Sequence, residues 1–497
     1  MRSLHNVILL TDNTASFLFS KMLGPQVIAS YLRKQNINVT LIQGLFKFTE
    51  EEIISVLAKK INSQTLFVGF STTFFFNVNL LKQQHLVSGD ILKSEFHNNW
   101  AERFESILKR IKMAWPELKI VFGGPPKPNL LSFEKYADSV FSGYSEDSLS
   151  IYLKKLIPNF SVKKYDFSEH INTYHDSDGL IRGETLTLEL SRGCRFNCSF
   201  CSYPLRGTIN PLVRSFISLE AELNSNYQDY NITKYIIADD TLNENNQKIE
   251  LLEKVVNSTQ IPLNYTAYLR LDCFAKFKKY QARALKETGL KSAFFGIESL
   301  NPKVGKHIGK KTDPEWIIDQ LGEIKSFFGN ELKITTSFIF GLPEDTEADI
   351  NRWAKIIAHK DFPSDHKIIQ PLYINKYTQN DILNYTSKFD NSYTKYGYEF
   401  LSDTSSGFAQ DWVNKKTNIC FKKAIELTSF WNSIIYKNPT RFLNFNEMVL
   451  SGYGLTDKQL QNFYINNPDH VSLAIDKSKK QFETYKSKIL KYHGVQS

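Results

Sequence analysis

The chain has 497 residues, 42% hydrophobic and 23% charged, with a formal net charge of +9 and five cysteines. That length exceeds the roughly 250–300 residues at which a single core stops growing, so two to four domains are expected, and the composition excludes a disordered or fibrous protein. No apolar run reaches the ~18 residues that cross a bilayer, the short run near the amino terminus reads as a strand rather than a signal peptide, and five thiols do not make a disulfide scaffold. A cytoplasmic protein is expected, and the charge permits an anionic partner without making nucleic acid the expected one.

The first segment alternates strands and helices. Asn6 to Thr11 is an apolar run; Gly24 and Pro25 open a helix with Val27, Ile28, Tyr31 and Leu32 on one face; Val39 to Ile42 is the next strand. Thr49 and Glu52 form a capping box for a second helix. Strands follow at Thr65 to Phe70, Leu118 to Phe122 and Ser139 to Ser142, with a long helix around Trp100 to Trp115. The fold class is α/β, beginning with a Rossmann-like parallel sheet over residues 1–160. The run Phe74, Phe75 and Phe76 reads as core.

The polar stretch SEHINTYHDSDGLIRGE (168–184) lies in an expected linker, 161–184. Six strand candidates then recur, at Thr185 to Leu190, Lys234 to Ala238, Asn264 to Leu269, Ser292 to Ile297, Lys333 to Phe340 and His366 to Tyr373, separated by amphipathic segments, one opening with the cap TDPE (312–315). This predicts a partial (β/α)6 barrel over 185–385. From 386 to 497 the rhythm stops, and a mainly helical region ends in a lysine-dense segment (475–494) whose simplest reading is a solvated surface helix.

Three of the five cysteines lie in SRGCRFNCSFCSY (191–203), as Cys194, Cys198 and Cys201 in the spacing CxxxCxxC directly after a strand. Thiolates so spaced can converge on one soft metal centre, and three of them leave a [4Fe–4S] cluster with one iron free of protein ligands. Structural zinc is the competing reading, but it normally takes four ligands, and no histidine lies between His175 and His307.

This motif, with the aromatic Phe200 before its last cysteine, resembles that of the radical S-adenosylmethionine (SAM) enzymes. The resemblance continues through IADDTLN (237–243), AYLRLD (267–272), FFGIESLNPKVGKHIGKK (294–311) and SFIFGLPEDT (337–346), each at a strand's carboxyl end, where barrel enzymes place their sites. It implies that Cys194, Cys198 and Cys201 ligate a [4Fe–4S] cluster and that Phe200 lies beside the SAM adenine. Asp239 or Asp240 would face the SAM ammonium or ribose, Arg270 and Glu298 would line the same mouth, and Gly341 would let backbone approach the cofactor. It also implies a flavodoxin- or ferredoxin-type electron donor.

Ahead of such a barrel, MLGPQVIASYLRKQNINVTLIQ (22–43), VGFSTT (68–73), VFGGPP (121–126) and FSGYSEDSL (141–149) resemble the cobalamin-binding class of that superfamily. Ser71, Thr72, Gly123, Gly124, Gly143 and Tyr144 are the corrinoid contacts this implies. The loop TDNTASF lacks the Asp-x-His-x-x-Gly pattern that supplies a cobalt-ligating histidine elsewhere, so cobalamin would be held without one. The leading expectation is a cobalamin-dependent C-methyltransferase on an unidentified substrate. The alternatives are a non-methylating radical SAM enzyme with a degenerate first domain, and a non-catalytic cobalamin or redox sensor. Residues 1–193 contain no cysteine, so a second, amino-terminal cluster is excluded.

Overall fold

The computed structural model describes residues 5–13, 18–75, 100–124, 128–201, 210–276, 278–374, 387–401, 411–435, 444–456, 458–460 and 468–495. Five parallel strands, β1 (Asn6–Thr11), β2 (Asn38–Gln43), β3 (Thr65–Ser71), β4 (Ile120–Gly123) and β5 (Ser139–Phe141), form a sheet of order β2-β1-β3-β4-β5. Helices Leu23–Lys34, Glu50–Lys60, Trp100–Ala114 and Glu146–Leu156 cover it. Coverage on both faces explains why the strands read as continuous apolar runs: Ile8, Leu10, Val68 and Phe70 enter one core cluster, while their neighbours Val7, Leu9 and Phe67 enter another. The capping box is present, with Thr49 Oγ1 accepting from Glu52 N at 3.1 Å and Glu52 Oε2 from Thr49 N at 2.7 Å.

The second unit begins with β6 (Thr185–Leu188), followed by a short antiparallel pair, β7 (Ser191–Arg192) and β8 (Leu212–Val213), that closes the base of the cysteine loop. Then come β9 (Lys234–Ile237), β10 (Asn264–Leu269), β11 (Leu290–Glu298), β12 (Lys333–Phe340) and β13 (His366–Pro371). With β6 they make one parallel six-stranded sheet of order β6-β9-β10-β11-β12-β13. Because every crossover is helical and every pair parallel, the carboxyl ends of all six strands share one edge. The expected barrel end at 385 lies outside the described residues.

The stretch read as a linker is packed into the joint between the two sheets. His170, Asn172, Asp178 and Glu184 are buried, and the Asp178 carboxylate accepts from both Nη atoms of Arg33, at 2.7 and 2.6 Å. Its polarity reflects hydrogen bonding inside the joint rather than solvation.

The carboxyl-terminal region serves three places. Phe389 N donates to Ser199 O at 3.0 Å, and Trp412 Nε1 donates to Leu372 O at 3.1 Å, so residues 387–414 lie at the barrel mouth. Helix Asn444–Gly452 crosses the opposite ends of the strands, where Thr185 Oγ1 donates to Met448 O at 2.6 Å. Helix Pro468–Tyr492 returns to the first sheet, and Phe482, Tyr485, Ile489 and Leu490 join its core. The lysine-dense segment is thus solvated on one face only. No helix among the described residues is long and apolar enough to cross a membrane.

Candidate functional site

The base of the cysteine loop is fixed by one carboxylate. Asp239, 1% exposed, accepts from Leu190 N at 2.8 Å, Ser191 N at 3.1 Å and Ser191 Oγ at 2.6 Å, with Lys248 Nζ 3.6 Å away. Burial raises its pKa, against the pull of Lys248 and these donors. Asp239 is therefore engaged with the base of the loop, while Asp240, the other alternative read from the sequence, lines the cavity between the sheets.

Above that base, Cys194 Sγ lies 3.8 Å from Thr241 Oγ1, and Arg195 N donates to Glu244 Oε2 at 3.3 Å. Cys201 N donates to Cys198 O at 3.2 Å, turning the second half of the motif tightly. Arg270, at the end of β10, donates from Nη1 to Cys198 Sγ at 3.1 Å, stacks its guanidinium 3.8 Å from the Phe196 ring centre, and pairs with Asp272 at 2.7 Å. Burial raises the Cys194 thiol. Among the described residues no three His, Cys, Asp or Glu side chains are placed to hold a metal ion. A four-iron cluster takes its thiolates at separate corners, and three thiols on one loop with a guanidinium at one sulfur fit it. Cys273, whose thiol burial and Asp272 push up to about 12, and Cys420, beside the hairpin strand at Val413, are outside the loop.

Phe200 and Glu298 meet through a residue that sequence reasoning left unassigned. Lys310 Nζ donates to Glu298 Oε1 at 3.1 Å and to Gly296 O at 2.7 Å, and sits 5.6 Å from the Phe200 ring centre. Glu298 adopts φ +71°, a left-handed value uncommon for a residue with a side chain. A Cβ on Gly296 would fall 2.4 Å from Glu298 Oε1, so glycine is required for this arrangement. Gly341 lies against an aromatic side chain. It has φ +89°, and a Cβ there would meet Trp412 at 2.7 Å, so its bare Cα admits an indole at the end of β12.

Between the two sheets lies a cavity of about 770 Å³. On the first-domain side Ser71, Gly123, Gly124, Gly143 and Tyr144, five of the six residues read as corrinoid contacts, line it. Thr72 does not; it is buried behind the wall, with Oγ1 3.2 Å from Gly123 O. Phe74 lines the cavity while Phe75 is core, so the aromatic run divides between the two roles; Phe76 lies outside the described residues. On the barrel side are Glu189, Arg192, Asp240 and Tyr268, and Asn446 and Val449 line it from the helix across the strands' amino ends. No histidine is among the described lining residues, in keeping with the missing motif in the first loop.

Glu189 and Arg192 were not singled out from sequence. Arg192 Nε lies 3.1 Å from both Glu189 oxygens, its Nη1 is 2.7 Å from Glu146 Oε1, and its guanidinium covers Tyr144 and Phe167 at 4.3 and 4.6 Å. Burial pushes Glu189 up to about 7 although Arg192 draws it down. The available signal was the pair of opposite charges flanking Leu190 and Ser191, just ahead of the cysteines.

The radical SAM superfamily profile matches residues 188–357. An uncharacterized methyltransferase of Pyrococcus horikoshii, PH0819, is 30% identical over 181 residues, 36% of this chain and 38% of that protein; the match spans well under half of that relative. The radical S-adenosylmethionine methyltransferase TsrM from Kitasatospora setae, with cobalamin and a [4Fe–4S] cluster bound, superposes with a TM-score of 0.63 at 10% identity over 96% of this chain and 100% of that one. TsrM with tryptophan substrate and a SAM analogue gives 0.62 at 12% identity, covering 94% and 95%. The cobalamin-dependent S-adenosylmethionine radical enzyme OxsB gives 0.53 at 17%, covering 97% and 71%. At these identities the three structures establish a shared fold.

Proposed function

We propose that this chain, in which residues 188–357 are a radical SAM domain, is a cobalamin-dependent methyltransferase whose corrinoid occupies the cavity between the first sheet and the barrel. The observation that carries this reading is the cavity itself, about 770 Å³ walled on one side by the strand-end loops of a Rossmann-like sheet and on the other by the residues beside the cysteine loop. The fold shared with TsrM and OxsB supports it over the full length of the chain. When bound, the cluster, SAM and cobalamin supply electron transfer, SAM cleavage and methyl transfer.

The chain's own part is to place these groups and exclude water. Cys194, Cys198 and Cys201 would hold the cluster, with Arg270 donating to the Cys198 sulfur. Asp240, on the cavity wall just beyond the end of β9 with Ala238, would accept from the SAM ammonium, and Lys310 with Glu298 would fix the polar edge beside Phe200. The Gly123 to Gly124 and Gly143 to Tyr144 turns would meet the corrinoid with backbone and a single ring. Glu189 and Arg192 line this space just ahead of the cysteine loop.

Product analysis tests the reading. Protein reconstituted anaerobically with iron, sulfide and hydroxocobalamin is incubated with SAM and a reductant. The reading requires S-adenosylhomocysteine whose formation depends on added corrinoid; 5′-deoxyadenosine without S-adenosylhomocysteine would move the chain to the non-methylating class, and intact SAM to the sensor.

A further inference from the structure

Arg270 follows the last residue of β10, and its backbone is held from both sides by the fully buried Asn243. Asn243 Oδ1 accepts from Arg270 N at 2.8 Å, and Asn243 Nδ2 donates to Arg270 O at 2.9 Å. The Arg270 side chain, 7% exposed, directs its donors to three partners. Nε and Nη2 form a fork on the Asp272 carboxylate at 3.0 and 2.7 Å, Nη2 also lies 3.4 Å from Gly309 O, and Nη1 donates to Cys198 Sγ at 3.1 Å. The guanidinium stacks on Phe196, 3.8 Å from the ring centre. It cannot leave the sulfur without giving up both the fork and the ring, an arrangement that a lysine does not reproduce. The sulfurs of the motif are not treated alike: Cys198 receives a charged donor at 3.1 Å, whereas Cys194 has the neutral hydroxyl of Thr241 at 3.8 Å.

An iron–sulfur cluster gains one negative charge on reduction, so a cation and a hydrogen bond at a ligating sulfur stabilise the reduced form more than the oxidised one. We propose that Arg270 is a positioning residue that raises the reduction potential of the cluster through Cys198, and that Asp272 opposes it. The inference rests on the cluster reading above. In the step an external reductant gives up one electron and the cluster takes it, with no bond made or broken. Burial makes the guanidinium's field strong, whereas Asp272, with 36% of its side chain exposed, is screened by water and offsets only part of it. The two side chains thus act with opposite signs on one potential, and a purely structural ion pair would not.

The test is a mediated redox titration of full-length protein carrying its reconstituted cluster, with dithionite as the reductant, no SAM present, and the paramagnetic resonance of the reduced cluster as the readout. In Arg270→Gln, which removes the charge, the ratio of reduced to oxidised cluster at a fixed poise falls roughly tenfold, a downward shift of about 59 mV for a one-electron couple. Arg270→Lys, which keeps the charge and loses the fork, falls between Arg270→Gln and wild type. Asp272→Asn shifts the potential upward, by less than Arg270→Gln shifts it downward. An Arg270→Gln protein with full iron content and the wild-type potential would overturn the proposal. So would a downward shift in Asp272→Asn, since the pair would then only be shaping the loop. A wild-type potential combined with weakened SAM retention in equilibrium dialysis would assign Arg270 to SAM instead and overturn it too. If Arg270→Gln holds no cluster, Asp272→Asn decides alone: an upward shift supports the proposal and no shift overturns it. Failure of the cluster reading shows separately, as absence of iron from reconstituted wild-type protein before any titration.

Discussion

Arg192 Nη1 lies 2.7 Å from Glu146 Oε1, both side chains at most 5% exposed, and so joins the last helix of the first sheet to the strand pair that carries the cysteine loop. The same guanidinium holds Glu189 at 3.1 Å and covers the ring of Tyr144. Whatever fills the cavity beside Tyr144 therefore touches the group that anchors the loop.

Replacing Arg192 with Met removes the cation and leaves Glu146 and Glu189 buried without it. The expected loss is about 3–5 kcal/mol, the range for breaking one partner out of a buried pair. The double variant Arg192→Met/Glu146→Gln recovers part of that loss, because one stranded carboxylate is gone. Urea midpoints followed by tryptophan fluorescence report both; a single variant as stable as wild type would show that the pair contributes nothing.

Alanine at Cys194, Cys198 or Cys201 abolishes the cluster, whereas Cys273→Ala and Cys420→Ser retain it, as read by iron and sulfide content after reconstitution. Cys273 is excluded because it lies outside the cysteine loop, on the short helix Leu271–Lys276 that follows β10. Iron lost on changing Cys273 would make it a fourth ligand and break the assignment.

Gly123 lines the cavity, and a Cβ there would meet nothing within 4 Å. Gly123→Leu therefore projects a side chain into the corrinoid space without strain in the sheet. Expected are an unchanged urea midpoint, an unchanged iron content and loss of corrinoid retention by more than about tenfold in equilibrium dialysis, the penalty of placing a side chain where a ligand must pack. Undiminished corrinoid binding would place the ligand elsewhere.

Asp345 gives a pH dependence with a defined sign. Its carboxylate is buried, accepting from Asn301 Nδ2 at 3.1 Å and Leu342 N at 3.2 Å, and burial pushes its pKa up to about 7 despite these donors. The folded protein thus holds this proton more tightly than the unfolded chain. The associated stability is fully present below the unfolded value of 3.8, declines by up to about 1.4 kcal/mol per pH unit above it, and is lost once pH passes about 7. Asp345→Asn flattens that slope between about pH 5 and 7; a wild-type midpoint insensitive to Asp345→Asn across that range would contradict the assignment.

Both sheets were legible in the sequence because their strands are apolar runs broken by amphipathic helices, and the cysteine cluster because thiols are scarce in this chain. The cavity residues were partly legible: small residues at strand ends were found, but Thr72 could not be told from its neighbours, since a β-branched hydroxyl next to a lining residue can point either way. Gly341 admits a partner, Trp412, that lies 71 residues further on and leaves no local trace. Arg192, Glu189 and Lys310 act through contacts 3 to 46 residues distant, and a charge in a motif says nothing by itself about what it will pair with.

The central claim is that a corrinoid sits between the first sheet and a cluster-bearing barrel. The measurement that tests it most directly is anaerobic reconstitution with iron, sulfide and hydroxocobalamin, followed by desalting and determination of iron and corrinoid on the same sample. The account predicts about four irons and one corrinoid retained per chain. A full cluster with no retained corrinoid would contradict it, and would leave the cavity as a substrate chamber in an enzyme that does not use cobalamin.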